Sequence, residues 1–208
     1  MLRVRRVMPI PRIFLLSPAS MAGKRAAMLL RSEATFPLAM RLRNEGASLG
    51  EVFTFASGLY FRGKLSYAST FGASPASISP VQVITSCRGL LPADHRVHPT
   101  DLREMGAVPI SAEEPRYREP LVRDVRALEG TLPADAAIVL LGSVASGKYL
   151  EILLETFGDR LHFPREFVGR GDMSRGGLLL RAVQSELELE YVPAATSSRR
   201  GTRPPKLT

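Results

Sequence analysis

The residues Ala137-Ile-Val-Leu-Leu141, followed by Gly142-Ser-Val-Ala-Ser-Gly-Lys-Tyr149, form an apolar run that passes directly into a turn of small polar residues. A short run that is partly β-branched and is followed by Gly and Ser is typical of a buried strand in a central sheet. The runs Ile13–Leu16 and Val81–Thr85 share this pattern, and small polar residues follow each of them. The three runs therefore predict three buried strands.

Helical patterns lie between these strands. Ser48 and Glu51 have the spacing of a capping box, which predicts the start of a helix. Apolar residues recur at helical spacing in Leu121–Leu128 and again in Ile152–Phe157, and Pro120 is then compatible only with a first helical turn. Alternating strands and helices predict an α/β fold, a single domain with a central mixed sheet flanked by helices.

The charge distribution indicates where this domain begins and ends. The chain of 208 residues is long enough for one domain, and its net charge is +8. Residues 1–12 and 193–208 each carry four cations and no acid, so 20 of the 28 basic residues remain to balance the 20 acidic ones. We predict a disordered basic arm over 1–12, an α/β domain over 13–192 and a disordered basic tail over 193–208. Inside the domain, alternating glutamates and apolar residues in Glu186–Tyr191 predict a half-exposed strand.

Composition excludes several classes of protein. The single cysteine, Cys87, cannot form an intrachain disulfide, which fits a reducing compartment. Its thiol is either a plain buried group or a group whose pKa the neighbouring Arg88 lowers. The three histidines have no zinc-site spacing, and no segment reaches the roughly 20 apolar residues of a membrane span. We expect a cytoplasmic protein with no membrane span, no resident cofactor and no metal.

The predicted sheet also indicates where a ligand would bind. In α/β sheets, ligands lie outside the carboxyl ends of the strands. The loops after the three predicted strands are Ser17–Arg25, Ser86–His98 and Gly142–Tyr149, and they converge on one crevice if the strands are parallel. A fourth loop, Val168–Gly177, is rich in Gly and Arg and is placed to close over them.

The loop Gly142–Tyr149 matches the phosphate-binding pattern G-x-x-x-x-G-K between a strand and a helix. Tyr149 stands where a P-loop carries the Ser or Thr that binds Mg²⁺, and few residues follow for a Walker-B strand. Three interpretations stay open: an anion site formed by Ser143, Ser146 and backbone N–H groups, a degenerate P-loop of an NTPase, and a purely structural turn.

The other loops carry hydroxyl and cationic groups that suit an anion. Ser17, Ser20, Lys24 and Arg25 lie at the start of a predicted helix, although the same residues also fit a plain capping turn. The candidate ligand-binding residues are Ser17, Ser20, Lys24, Arg25, Arg88, Ser143, Ser146, Lys148, Tyr149, Arg170 and Arg175. The sequence identifies no catalytic residue.

The order of short motifs along the chain resembles that of the YaaA-type peroxide-stress proteins. The matching segments are Leu16-Ser-Pro-Ala19, Tyr60-Phe-Arg-Gly-Lys-Leu65, Gly89-Leu-Leu-Pro92, Asp101-Leu-Arg-Glu-Met-Gly106, Ala145–Tyr149 and Gly169-Arg-Gly-Asp-Met-Ser-Arg175. The resemblance covers roughly residues 13–181. This chain departs from the family in its shorter length and in the Walker-like pair Gly147-Lys148.

The resemblance implies a YaaA-like fold, nucleic-acid binding and protection against oxidative damage, and it brings no catalytic residue with it. The expected partner is nucleic acid or a phosphate-bearing small molecule. One alternative is an enzyme acting on a nucleotide or nucleobase in the same crevice, with Asp94, Asp101 or Asp172 as its acid–base group. The second alternative is a degenerate P-loop NTPase.

Overall fold

The computed structural model of the chain describes residues 11–75, 77–145, 147–202 and 204. The described residues form six strands of one sheet, a separate two-stranded ladder, and the helices that pack on them. The elements run in the order β1 (Arg12–Leu16), α1 (Lys24–Leu29), α2 (Pro37–Asn44), β2 (Ala47–Ser48), α3 (Leu49–Ser57), α4 (Leu59–Phe71), β3 (Val81–Ile84), β4 (Leu90–Pro92), β5 (Arg96–Val97), α5 (Pro99–Ala107), α6 (Pro115–Thr131), β6 (Ala137–Leu141), α7 (Gly147–Phe157), β7 (Leu161–Pro164), α8 (Asp172–Ser185) and β8 (Tyr191–Pro193).

The sheet is mixed, with the strand order β4-β3-β1-β6-β7-β8. Strand β1 pairs in parallel with both β3 and β6, and β6 pairs in parallel with β7. The edge strands β4 and β8 are antiparallel to their neighbours. The predicted α/β class with a central mixed sheet is therefore confirmed, and the three predicted strands are the adjacent ones β3, β1 and β6.

The two faces of the sheet carry separate apolar cores. Along β1, Phe14 and Leu16 contribute to the core that includes residues of α1 to α4 and α8. Ile13 and Leu15 contribute to the opposite core, which includes residues of α6 and α7. Successive strand residues point to opposite faces, so a strand covered on both sides is apolar throughout. This explains why β1 has a continuous apolar sequence.

Two local predictions are wrong. The segment Glu186–Tyr191 is a strand only from Tyr191 onwards, because α8 continues to Ser185 and Glu186 ends it in the left-handed conformation (φ 54°). Leu187 then donates its N–H to the Ala182 carbonyl at 3.1 Å, which closes the helix end, and its side chain is 69% exposed. Pro120 lies inside α6 rather than in its first turn, because this helix begins at Pro115.

The arms were predicted as 1–12 and 193–208, and the described residues move both boundaries. Arg12 is the first residue of β1 and forms an ion pair with Glu188. Pro193 ends β8, and Ala194 is fully buried with its N–H donated to the Leu161 carbonyl at 2.8 Å. The inner end of each predicted arm is therefore part of the domain, while residues 1–10, 203 and 205–208 lie outside the described part. Among the described residues, no helix has both the length and the apolarity needed to cross a membrane.

Candidate functional site

Two adjoining cavities open where β1 and β6 end. Ser17 follows β1 and donates its N–H to the Leu141 carbonyl of β6 at 3.1 Å, which keeps the two chain segments together beyond the sheet. The cavities have volumes of about 480 and 210 Å³. Ser17, Pro18, Tyr60 and Asp172 line both of them, so we treat the two as one site, the crevice.

Several predicted site residues meet in this crevice. The larger cavity is lined by Ser20, Lys24 and Arg25, and the smaller one by Ser143, Lys148 and Tyr149. The two loops that supply them follow β1 and β6, which are adjacent and parallel, the condition under which the sequence pattern predicted that these loops converge. Ser146 is also a predicted site residue, but it lies outside the described residues.

Lys64 of α4 is the most unusual group in the crevice. The residue is 1% exposed, and its Nζ donates hydrogen bonds to the Ser17 carbonyl oxygen at 2.6 Å and to Ser17 Oγ at 2.8 Å. The rings of Tyr60 and Phe61 lie beneath the amino group, with centroids 4.6 and 4.7 Å from Nζ. Lys64 forms no ion pair within the described part of the chain. The hydrogen-bond acceptors of the amine are thus neutral, and its other close neighbours are aromatic faces.

Burial lowers the pKa of Lys64 to about 7, because the apolar surroundings disfavour the ammonium form. The Asp172 carboxylate opposes this shift, and the Arg175 guanidinium reinforces it. Desolvation also raises the pKa of Tyr60, whose phenol lies in the same wall of the crevice. Near neutral pH, the amine of Lys64 is therefore present in both its neutral and its protonated form.

The turn Gly142–Tyr149 has a structural reason for its resemblance to a P-loop. The Tyr149 side chain is buried and turns back, and its hydroxyl accepts the Ser143 N–H at 2.7 Å. A methyl group on Gly142 would lie 2.8 Å from both this hydroxyl and Ser17 Cβ, so glycine is needed where the two side chains approach. The Ser143 N–H, which a P-loop would direct at phosphate, is thus already bonded within the turn. Lys148 is exposed on the first turn of α7.

The predicted loop Val168–Gly177 is only partly a loop, since α8 begins at Asp172. Arg175 is buried, and its Nε and Nη2 donate to the Phe167 carbonyl at 3.2 and 3.1 Å. It also ion-pairs with Asp172 at 3.5 Å. Arg170 donates to Ser174 Oγ at 3.2 Å. Both arginines therefore order the start of α8, and Asp172 is the residue of this segment that lines the crevice.

Arg88 belongs to a different cluster. Within Ser86–His98, β4 pairs with β3 as a β-hairpin, whereas β5 pairs with β2. Arg88, in the turn before β4, ion-pairs with Asp101 at 2.8 Å and with Glu104 at 2.6 Å. Burial, followed by the charge of Glu104, raises the pKa of the neighbouring Cys87 thiol. Of the two interpretations of Cys87, the one with a lowered pKa is therefore wrong, because burial and the charge of Glu104 outweigh the lowering effect of the Arg88 guanidinium.

A further cavity lies on the other side of the Gly142–Tyr149 turn, between α7 and the segment after β8. It has a volume of about 430 Å³, and its wall includes Gly147, Glu151, Ser198, Arg199 and Arg200. Two exposed cations that the sequence assigned to a disordered tail therefore line a cavity beside this turn.

Sequence reasoning missed Lys64 and Tyr60, which belong to α4 rather than to a loop after a strand. A signal was present, since Leu59–Phe71 carries Tyr60, Phe61, Tyr67 and Phe71 on more than one side of the helix. A helix that is apolar on several sides is buried on several sides, which makes its polar residues candidates for buried positions. The signal does not single out Lys64, because Arg62 of the same helix is exposed. Within the described residues, no group of three or more His, Cys, Asp or Glu side chains is arranged to hold a metal ion.

The chain is thus an α/β protein whose mixed sheet carries a cationic crevice at the carboxyl ends of β1 and β6. Comparison with family models, curated proteins and solved structures gives no match to it.

Proposed function

We propose that the crevice binds a phosphate-bearing ligand, and that this ligand is nucleic acid. The observation that carries the proposal is the convergence of Lys24, Arg25 and Lys148 on the adjoining cavities, against the single carboxylate of Asp172. These cations come from segments more than a hundred residues apart in the chain. An excess of positive charge with hydroxyl groups beside it favours phosphate oxygens.

The surroundings of the crevice support a polymeric ligand. Arg199 and Arg200 line the cavity on the other side of the Gly142–Tyr149 turn, so positive charge continues beyond the crevice. Each phosphate neutralised by a lysine or arginine releases counterions, and an extended cationic surface therefore favours a polyanion over a single phosphate. The resemblance to YaaA-type proteins agrees with this ligand, and it extends the proposal to protection of nucleic acid under oxidative stress.

The test is binding of a labelled DNA duplex of about 20 base pairs, measured by fluorescence anisotropy over a range of salt concentrations. We expect Lys148→Ala and Lys24→Ala each to weaken binding about tenfold, the usual effect of one charge-assisted contact. Each substitution should also reduce the steepness of the salt dependence by about one unit.

The matched control is Arg126→Ala. Arg126 is exposed on α6 and is not among the lining residues of either cavity, but its loss changes the net charge equally. An equal loss of affinity in this variant would assign binding to overall charge and would contradict the proposal. Tight binding of a mononucleotide with none of DNA would instead favour a small-molecule ligand.

An enzyme acting on a nucleotide is the second candidate, and the position of Asp172 is the observation that favours it. Of the three carboxylates considered for acid–base chemistry, Asp94 is exposed and Asp101 is bonded to Arg88 and to the His98 N–H. Asp172 lines both cavities of the crevice. Turnover of a nucleoside monophosphate that is lost in Asp172→Asn would establish this candidate.

The NTPase alternative is the least supported by the geometry. Tyr149 occupies the position of the Mg²⁺-binding hydroxyl and bonds within its own turn. We expect no Mg²⁺-dependent ATP hydrolysis above background. ATP turnover that Lys148→Ala abolishes would restore this alternative.

A further inference from the structure

The Ser17 hydroxyl and the Lys64 amine form a hydrogen-bonded pair at the base of the crevice. Ser17 is 7% exposed and lines both cavities, and Lys64 is 1% exposed and lines the larger one, with Nζ 2.8 Å from Oγ. A ligand in the smaller cavity meets the serine without the lysine, and the amine reaches that ligand through the serine oxygen. This is the order in which a nucleophile and its base must stand.

The second hydrogen bond of Lys64 orients its amine toward this role. Nζ donates to the Ser17 carbonyl at 2.6 Å, which fixes one N–H direction. In the ammonium form a second N–H points to Oγ. After loss of that proton, the lone pair points there instead, and Ser17 Oγ–H becomes the donor. The same geometry therefore holds the pair before and after the lysine loses its proton.

We propose that Ser17 is a nucleophile and Lys64 its general base, and that the pair catalyses acyl transfer from esters. Ser–Lys pairs are a known variant of the serine triad, in which a neutral lysine replaces histidine. Ester cleavage goes beyond the proposed ligand binding and does not depend on it, because a neutral ester needs no phosphate site.

The reaction proceeds by balanced steps. Ser17 Oγ attacks the acyl carbon while the neutral Nζ of Lys64 takes the hydroxyl proton. The carbon–oxygen bond to the leaving alcohol then breaks, and Lys64 returns its proton to that oxygen, which leaves an ester on Ser17. Water then attacks this ester while the neutral Nζ of Lys64 takes a proton from it. The bond between the acyl carbon and Ser17 Oγ breaks, Lys64 returns the proton to Oγ, and the carboxylic acid is released. The surrounding cations Lys24, Arg25 and Lys148 favour the negative charge that develops in the tetrahedral intermediates.

Burial supplies the protonation state that the first step requires. The desolvated amine has a pKa of about 7, so a substantial fraction of Lys64 is neutral near neutral pH. An exposed lysine with the ordinary pKa of about 10.4 would be almost fully protonated under the same conditions.

To test the proposal, the full chain is treated with para-nitrophenyl acetate, and the acetylated residue is located by peptide mass spectrometry. We expect a burst of para-nitrophenolate, acetylation of Ser17, and a burst rate that rises with pH up to about 7 and then levels. Ser17→Ala should abolish the burst, and Lys64→Met should slow it at least about 100-fold, the usual contribution of a general base. Ser66→Ala, in the same helix as Lys64 but outside both cavities, should leave the burst unchanged.

Acetylation only at other residues, or a burst that is equally fast in Lys64→Met, would overturn the proposal. So would cleavage of bis(para-nitrophenyl) phosphate without any acetylation, because the chemistry would then be phosphoryl transfer. If Lys64→Met does not fold by circular dichroism, the pH profile of the unmodified chain decides. A rate with no inflection between about pH 5.5 and 9 excludes Lys64 as the base. Loss of DNA binding alone leaves this inference intact.

Discussion

Gly63 of α4 and Gly176 of α8 lie where the two helices cross, so closely that a methyl group on Gly63 would come within 2.7 Å of the Gly176 carbonyl oxygen. A methyl group on Gly176 would in turn meet the Leu59 carbonyl oxygen at 2.9 Å. Lys64 directly follows Gly63 in α4. In α8, Arg175 directly precedes Gly176, and Asp172 lies one helical turn before it. The crossing therefore brings the buried amine of α4 close to the charged start of α8.

Gly63→Ala should destabilise the protein by about 1–3 kcal/mol, because the contacted atom belongs to the backbone and the helices must separate. The matched control is Gly177→Ala, at a helical position where an added methyl group meets nothing within 4 Å. Alanine there should stabilise α8 by about 0.5–1 kcal/mol through its helix propensity. Both changes are measured as free energies of unfolding in urea. Equal effects in the two variants would mean that the helices do not cross at these glycines.

The sequence predicts the central strands better than it predicts the site. The runs Ile13–Leu16, Val81–Thr85 and Ala137–Leu141 are recognisable because a parallel strand covered on both faces has no polar positions. If these strands are parallel, the loops that begin at Ser17 and Gly142 lie at the same edge of the sheet. Such inferences need only local pattern and a topological rule.

The sequence predictions that the structure contradicts have a common cause, which is contact with residues of another element. Lys64 looks like a surface residue until α8 and the aromatic rings around it are in place. Arg88 looks available for a ligand, but Asp101 and Glu104 bind it from the next helix. Glu186–Tyr191 alternates like a strand, yet helix α8 extends to Ser185 and ends in a turn. In each case the deciding partner lies in another element, and local sequence carries little information about it.

Tyr149→Phe should destabilise the protein by about 1–3 kcal/mol. The ring still packs in the core, but the Ser143 N–H loses the hydroxyl that accepts it at 2.7 Å. The control is Tyr117→Phe, since the buried Tyr117 hydroxyl makes no hydrogen bond to any described residue. That substitution should be neutral or stabilising, because a desolvated hydroxyl is removed. Thermal and urea denaturation measure both, and a silent Tyr149→Phe would show that this bond does not hold the turn.

Two adjacent alanines test whether the segment after β8 belongs to the folded domain. Ala194 is fully buried and Ala195 is exposed. Ala194→Asp should destabilise the protein by about 3 kcal/mol or more, because it buries an unpaired carboxylate, whereas Ala195→Asp should change stability by less than about 0.5 kcal/mol. Equal and small effects, read from urea denaturation, would place the boundary of the domain before residue 194.

The buried amine of Lys64 should make stability depend on pH in a predictable direction. Its pKa is about 7 in the folded protein and returns to its ordinary value near 10.5 on unfolding. Between these values the unfolded chain binds one more proton than the folded one, so the free energy of unfolding rises with pH. The slope from this group is about 1.4 kcal/mol per pH unit, and its contribution is constant below about pH 7. From about pH 7.5 to 9, the gain is therefore about 2 kcal/mol.

Lys64→Met removes the titrating group while keeping a side chain of similar length, so the variant should lack this gain even if it is less stable overall. Lys24→Met is the matched control, because Lys24 is exposed on α1 and lines the same cavity. It should keep the pH dependence of the unmodified chain. Urea denaturation of the three proteins at both pH values gives the comparison, in which titrations common to all of them cancel. If the unmodified chain and Lys64→Met gain stability equally, Lys64 keeps its ordinary pKa. It would then remain protonated near neutral pH, and the amine could not serve Ser17 as a base.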